Sequence, residues 1–162
     1  MAAPDDGDHG HRVFLVVVDD SEEMRAALRY ACRRARHTGG RVALLRIVEP
    51  NDYREWVGVG KLMHEEAREE AEMLLHRMAN EVYACSGETP VLYVREGNPR
   101  EELLKLLNED PTISILVLAS GTGSEGPGPL ITALTGKYRD RLRIPMAIVP
   151  GSLSDEDIMR IT

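Results

Sequence analysis

Two short segments of this 162-residue chain carry residue types that bind ligands. The first is Asp19-Asp20-Ser21, which ends the apolar run from Val13 to Val18. The second is SGTGSEGPGPLITALTGKYRDRLRI, residues 120–144, glycine-rich at its start and basic at its end. A carboxylate accepts from base amines and ribose hydroxyls. Glycines let the main chain come close to phosphates and aim N–H groups at them. An acid facing such a loop across one crevice therefore suits a nucleotide.

Generic phosphate motifs do not describe the loop. Gly121-x-Gly123-x-x-Gly126 has the letters of the dinucleotide fingerprint. It follows the fourth strand rather than the first, however, and leaves one strand to supply the ribose-binding acid. Gly136-Lys137 is followed by Tyr138 and preceded at the P-loop spacing by Ile131, so it is not a P-loop. The Ser/Gly-rich loop that ATP pyrophosphatases carry after strand one has no counterpart in Asp19-Asp20-Ser21-Glu22-Glu23. What the chain does contain is Gly123-x2-Gly126-x9-Gly136.

The elements that must position these residues read as alternating strands and helices. The run from Val13 to Val18 is apolar without alternation, as in a strand buried on both faces of a parallel sheet. Met24, Ala27, Leu28, Ala31 and Ala35 recur at helical spacing, with arginines between them toward water, and Thr38-Gly39-Gly40 stops that helix. Ser21 is placed to cap it, a role that Asp19 could also fill. Further strands are predicted over residues 42–48, 90–95, 113–119 and from Pro145 to Pro150. A long helix is predicted over 62–84, and another opens at Gly97-Asn98-Pro99. Cys32 falls beside the first helix's apolar stripe, and Cys85 is expected in a loop.

The order of motifs resembles the universal stress protein family, whose ATP-binding members carry G-x2-G-x9-G-[S/T] after strand four. VVVDDSEE, LLRIVEP, EGNPREELLKLL and IPMAIVP are similar to its first strand end, second strand end, third helix entry and last strand. The resemblance covers nearly all the chain after residues 1–11. It implies a five-stranded parallel sheet of order 3-2-1-4-5, helices on both faces, and an ATP site, with Mg2+ accompanying the nucleotide. Asp19 would meet adenine and ribose, and Ile47 would contact adenine through its backbone. Gly123, Gly126 and Gly136 would wrap the ribose and phosphates, with Gly121 or Ala119 as the alternative first motif position. Lys137 stands where the family has Ser or Thr; it is either a point charge on the terminal phosphate or a solvated helix cation. The loop before Gly126 is longer than usual, the stretch after Gly136 is shorter, and Glu125 adds a negative charge. The resemblance also implies a homodimer built by pairing the last strand, Pro145 to Pro150, across a two-fold axis.

Composition narrows the function classes. Twenty basic against 27 acidic residues give a net charge of −7, which opposes a phosphate backbone, and one Trp, one Phe and five Tyr leave few platforms for stacking bases. No apolar run reaches the length of a membrane span. Two cysteines and an acidic start without signal-peptide charge point to a cytoplasmic location. Residues 1–11 are expected to be a mobile tail, 12–150 one α/β domain, and 151–162 a tail with a short capped helix. His9 and His11 stand beside acids without fixed geometry, so no metal site is expected. Trp56 is open between covering a ligand and making a dimer contact. With no nucleophile–base pair, the expectation is an adenine-nucleotide-binding regulatory dimer with at most slow ATP hydrolysis. The alternative is a nucleotide-free interaction dimer whose altered loop has lost its phosphate site.

Overall fold

The computed structural model describes residues 12–50 and 60–162; residues 1–11 and Trp56 lie outside the described residues. The elements run β1 Val13–Val17, α1 Met24–Thr38, β2 Arg41–Val48, α2 Gly60–Ser86, β3 Val91–Glu96 and α3 Pro99–Glu109. They continue with β4 Ile113–Ser120, α4 Pro129–Thr135, a 3-10 turn at Arg139–Arg141, β5 Met146–Pro150 and α5 Asp155–Ile161. All strand pairs are parallel, in the order β3-β2-β1-β4-β5. The sheet order implied by the motifs is the one observed.

The run of valines in β1 explains its central place. Every residue of that strand is buried, because successive side chains enter two different cores. Phe14 and Val16 face α1, α2 and α5, together with Leu44, Leu75, Val82 and Ile158. Val13, Leu15 and Val17 face α3 and α4, together with Leu45, Leu103, Leu106 and Leu134. The crossovers from β1 through β3 thus lie on one face and those from β3 through β5 on the other. The reversal falls between β1 and β4, where a crevice opens at the strands' carboxyl ends.

Local chemistry sets the helix ends. Asn98 caps α3 by accepting from Arg100 N (3.0 Å) and Glu101 N (3.3 Å), with Pro99 at the first position. Gly39 ends α1 in the left-handed conformation, its N–H donating to Ala35 O. At the other end of α1 the expected cap is absent. The helix starts at Met24 behind Glu23, which makes no side-chain cap, and Ser21 stands two residues too early, in a turn where its N–H and hydroxyl both donate to Asp19. Cys85 lies within α2 rather than in a loop, and both cysteines are free thiols. Burial pushes the Cys32 thiol's pKa up, as expected of a packing residue.

The final residues join the same body. Ser154 and Asp157 form a capping box at the start of α5, and Ile158 is 1% exposed in the core beside α1. Arg29 of α1 meets Asp155 at 3.3 Å, Arg33 donates to the Thr162 hydroxyl at 2.7 Å, and His37 bonds the Thr162 carbonyl. Two arginines read as solvated, Arg29 and Arg33, are therefore fasteners for α5.

Candidate functional site

The crevice between the ends of β1 and β4 is a cleft of about 840 Å³. Its floor is Val17, Val18, Leu118 and Ala119, and β2 contributes Arg46, Ile47 and Val48. One wall comes from the loop and first turn of α1, with Asp19, Asp20, Ser21, Glu23 and Met24. The helix α2 adds Met73 together with Ala67, Glu70, Ala71, Leu74 and Arg77, the last five at i, i+3, i+4, i+7, i+10 spacing along one helix face. The opposite wall is the segment from Pro127 to Ile131.

Asp19 is oriented by its own turn. Its Oδ1 accepts the Ser21 N–H at 2.8 Å and the Ser21 hydroxyl, an Asx-type closure that bends the chain from β1 toward α1. Oδ2 makes no hydrogen bond among the described residues. Beside it, Arg46 donates to Val18 O at 3.2 Å and to Asp20 Oδ2 at 3.3 Å, so its guanidinium is committed to the rim of β1. Ile47 is half-buried near the end of β2.

The glycine loop behaves differently from its sequence reading. The Gly121 N–H donates to Pro127 O at 2.9 Å, folding residues 121–127 back on themselves. A Cβ on Gly121 would meet Gly126 O at 2.9 Å and Glu23 Oε1 at 3.5 Å, so glycine is what this close approach requires. Gly128, at φ +120°, turns the chain into α4 and lines the cleft between Pro127 and Pro129. The structure thus brings Asp19, Ile47 and Ala119 together, while Gly121, Gly123, Gly126, Gly136 and Lys137 are not among the lining residues. Gly136 closes α4, its N–H donating to Ala133 O at 3.2 Å. Lys137 Nζ lies 5.8 Å from the centre of the Tyr138 ring, which Arg100 and Arg141 also approach at 5.5 Å.

Sequence reasoning missed Glu23, Arg46, Glu70 and Arg77 as cleft residues. Glu70 sits among the glutamates of α2, and its neighbours Ala67 and Ala71, at i−3 and i+1, line the cleft with it.

Set against these residues, ATP fits in part. The apolar floor, Ile47 and the spare oxygen of Asp19 suit a base and ribose. The triphosphate does not fit: among the described residues five carboxylates and two guanidiniums line the cleft, and the loop's first N–H is already bonded. Among the described residues, no group of three or more His, Cys, Asp or Glu side chains is arranged to hold a metal ion. No helix there is long and apolar enough to cross a membrane. Carboxylates, guanidiniums and one hydroxyl, with an apolar floor, bind by hydrogen bonds and contact.

Known proteins fit this picture. The sequence profile described as "Universal stress protein family" matches residues 10–150. Universal stress protein UspA from Lactobacillus plantarum is similar in structure, with a TM-score of 0.69 at 17% identity over 86% of this chain and 97% of that one. A universal stress protein in complex with cAMP superposes with a TM-score of 0.59 at 16% identity, covering 88% of this chain and 98% of the other. The Archaeoglobus fulgidus universal stress protein in complex with dAMP gives 0.57 at 17% identity, over 86% and 97%. No curated protein matches the sequence. With the profile spanning most of the chain and the sheet order agreeing, the chain belongs to the universal stress protein family.

Proposed function

We propose that this protein binds an adenine nucleotide in the cleft at the ends of β1 and β4 and acts by binding, as a regulatory homodimer in the cytoplasm, rather than by turnover. One observation carries the reading: Asp19 and Ile47 face the Pro127 to Ile131 segment across a cleft of nucleotide size at the reversal point of the sheet. Two structural neighbours whose structures hold cAMP and dAMP support it. ATP with Mg2+ is the finer expectation from the Gly123, Gly126 and Gly136 spacing. Its base and ribose agree with the lining better than its phosphates do. For the dimer, the support is that β5 is an edge strand with Ile148 43% exposed, an apolar edge that a second copy would cover.

The test is to extract protein purified from cells and identify any co-purified nucleotide by mass spectrometry, then to titrate adenosine, AMP and ATP calorimetrically. An adenine compound in the extract and heat from at least one titrant are expected; the absence of both overturns the reading. A second reading, a nucleotide-free interaction dimer, is favoured by one observation, the Gly121 N–H closed onto Pro127 O. It predicts no heat from any titrant with the dimer intact.

A further inference from the structure

We infer that the cleft selects a purine nucleoside carrying no phosphate or one and rejects the triphosphate; this rests on the adenine-nucleotide reading above and adds the ligand's charge class to it. The argument is electrostatic. Asp20 and Arg46 pair at 3.3 Å and largely cancel each other. Among the described residues that leaves Asp19, Glu23, Glu49 and Glu70 on the lining against Arg77, which makes no ion pair there.

The detail at the loop strengthens this. Phosphate sites built on glycine loops work because backbone N–H groups converge on the anion. Here the side of Gly121 that a Cβ would occupy meets acceptors instead, the Gly126 carbonyl at 2.9 Å and the Glu23 carboxylate at 3.5 Å. The Gly121 N–H points its hydrogen bond at Pro127 O. Lys137, the cation the sequence offers for a terminal phosphate, lies by Tyr138 and is absent from the lining. A nucleoside needs none of these groups. It needs the apolar floor and an acceptor for its hydroxyls, which Asp19 supplies. Each added phosphate brings more negative charge toward carboxylates at a partly exposed site, where like charges a few Å apart still repel.

The test uses the whole protein and calorimetric titration with adenosine, AMP and ATP in EDTA, at low and at moderate salt. Adenosine and AMP should bind, with ATP weaker than adenosine by at least about tenfold, the order of effect expected of such unscreened like charges. Added salt should strengthen ATP binding, because it screens a repulsion, and leave adenosine nearly unchanged. Glu70→Gln, on an exposed helix face that does not risk the fold, should raise the ATP-to-adenosine affinity ratio by about threefold, and Glu23→Gln should do the same. ATP binding as tightly as adenosine, or weakening with salt as at a basic phosphate site, overturns the inference alone. ATP binding where adenosine and AMP do not bind overturns the inference alone as well, whereas failure of all three to bind overturns the adenine-nucleotide reading and this inference with it.

Discussion

Asp19 holds Ser21 through a single oxygen: Oδ1 accepts both the backbone N–H and the hydroxyl of Ser21, and Oδ2 has no partner among the described residues. The carboxylate therefore has two separable jobs, shaping the turn and offering an acceptor to the cleft. Asp19→Asn can keep the carbonyl that accepts from Ser21 while replacing the second acceptor with a donor. It should lose about tenfold or more in adenosine affinity, the worth of a hydrogen bond to a charged group, with a thermal midpoint close to wild type. Asp19→Ala should bind as poorly. Calorimetry paired with thermal melts checks this, and an Asn variant that binds normally would remove Asp19 from the site.

The edge position of β5 gives a prediction about assembly. Ile148 is 43% exposed on the strand that would pair with a second copy. Ile148→Arg places a charge in that seam and should convert a dimer to a monomer in sedimentation, without changing the circular dichroism spectrum. A wild-type protein that sediments as a monomer at micromolar concentration would refute the dimer.

Tyr93 and Asp110 tie the edge strand β3 to the end of α3, the phenol donating to the carboxylate. Burial, then the hydrogen bond to Asp110, pushes the Tyr93 pKa up to about 12. Burial pushes Asp110 up too, but hydrogen bonds from Thr112 and Tyr93 overcome it and hold the carboxyl below its ordinary value. The lowered Asp110 contributes stability above the ordinary carboxylate pKa, and that contribution disappears as pH falls through the folded value. The raised Tyr93 contributes below the ordinary phenol pKa of about 10 and loses its contribution as pH climbs toward 12. Tyr93→Phe should cost about 1 kcal/mol at neutral pH, about 2–4 °C in midpoint, with the deficit shrinking at both extremes. Melts across pH 3 to 11 test it (a range of roughly that width is needed); a deficit independent of pH would mean packing rather than the hydrogen bond.

Ile158 reaches the core from the last helix. Truncating a buried isoleucine to alanine typically costs about 2–5 kcal/mol. Ile158→Ala should therefore lower the denaturant midpoint substantially, while the neighbouring exposed Met159→Ala should leave it nearly unchanged. Equal, small effects would mean that α5 is a loose appendage.

The sheet was legible because its signals are dense and local. Four- to six-residue apolar runs such as Val13 to Val18 cannot be satisfied on one face, and Asn98-Pro99 carries its helix start in its own chemistry. The cleft was legible on one side only. Asp19 and Ile47 follow from strand ends, whereas the loop side depends on which carbonyl captures the Gly121 N–H, a choice made by closure over six residues. Nothing in GTGSEGPG specifies that Pro127 wins, nor that Glu23, far away in sequence, fills the space in front of Gly121. Ser21 failed as a cap for a positional reason: the Asp19 turn holds it two residues ahead of Glu23, where the helix begins.

The central strand has a consequence for synthesis. β1 pairs with β2 across the single α1 crossover but with β4 only about a hundred residues downstream, as the Leu15–Leu116 register requires. While a nascent chain still lacks β4, one edge of the segment VFLVV has no partner. That is the species on which aggregation competes with folding and on which a ribosome-associated chaperone would act.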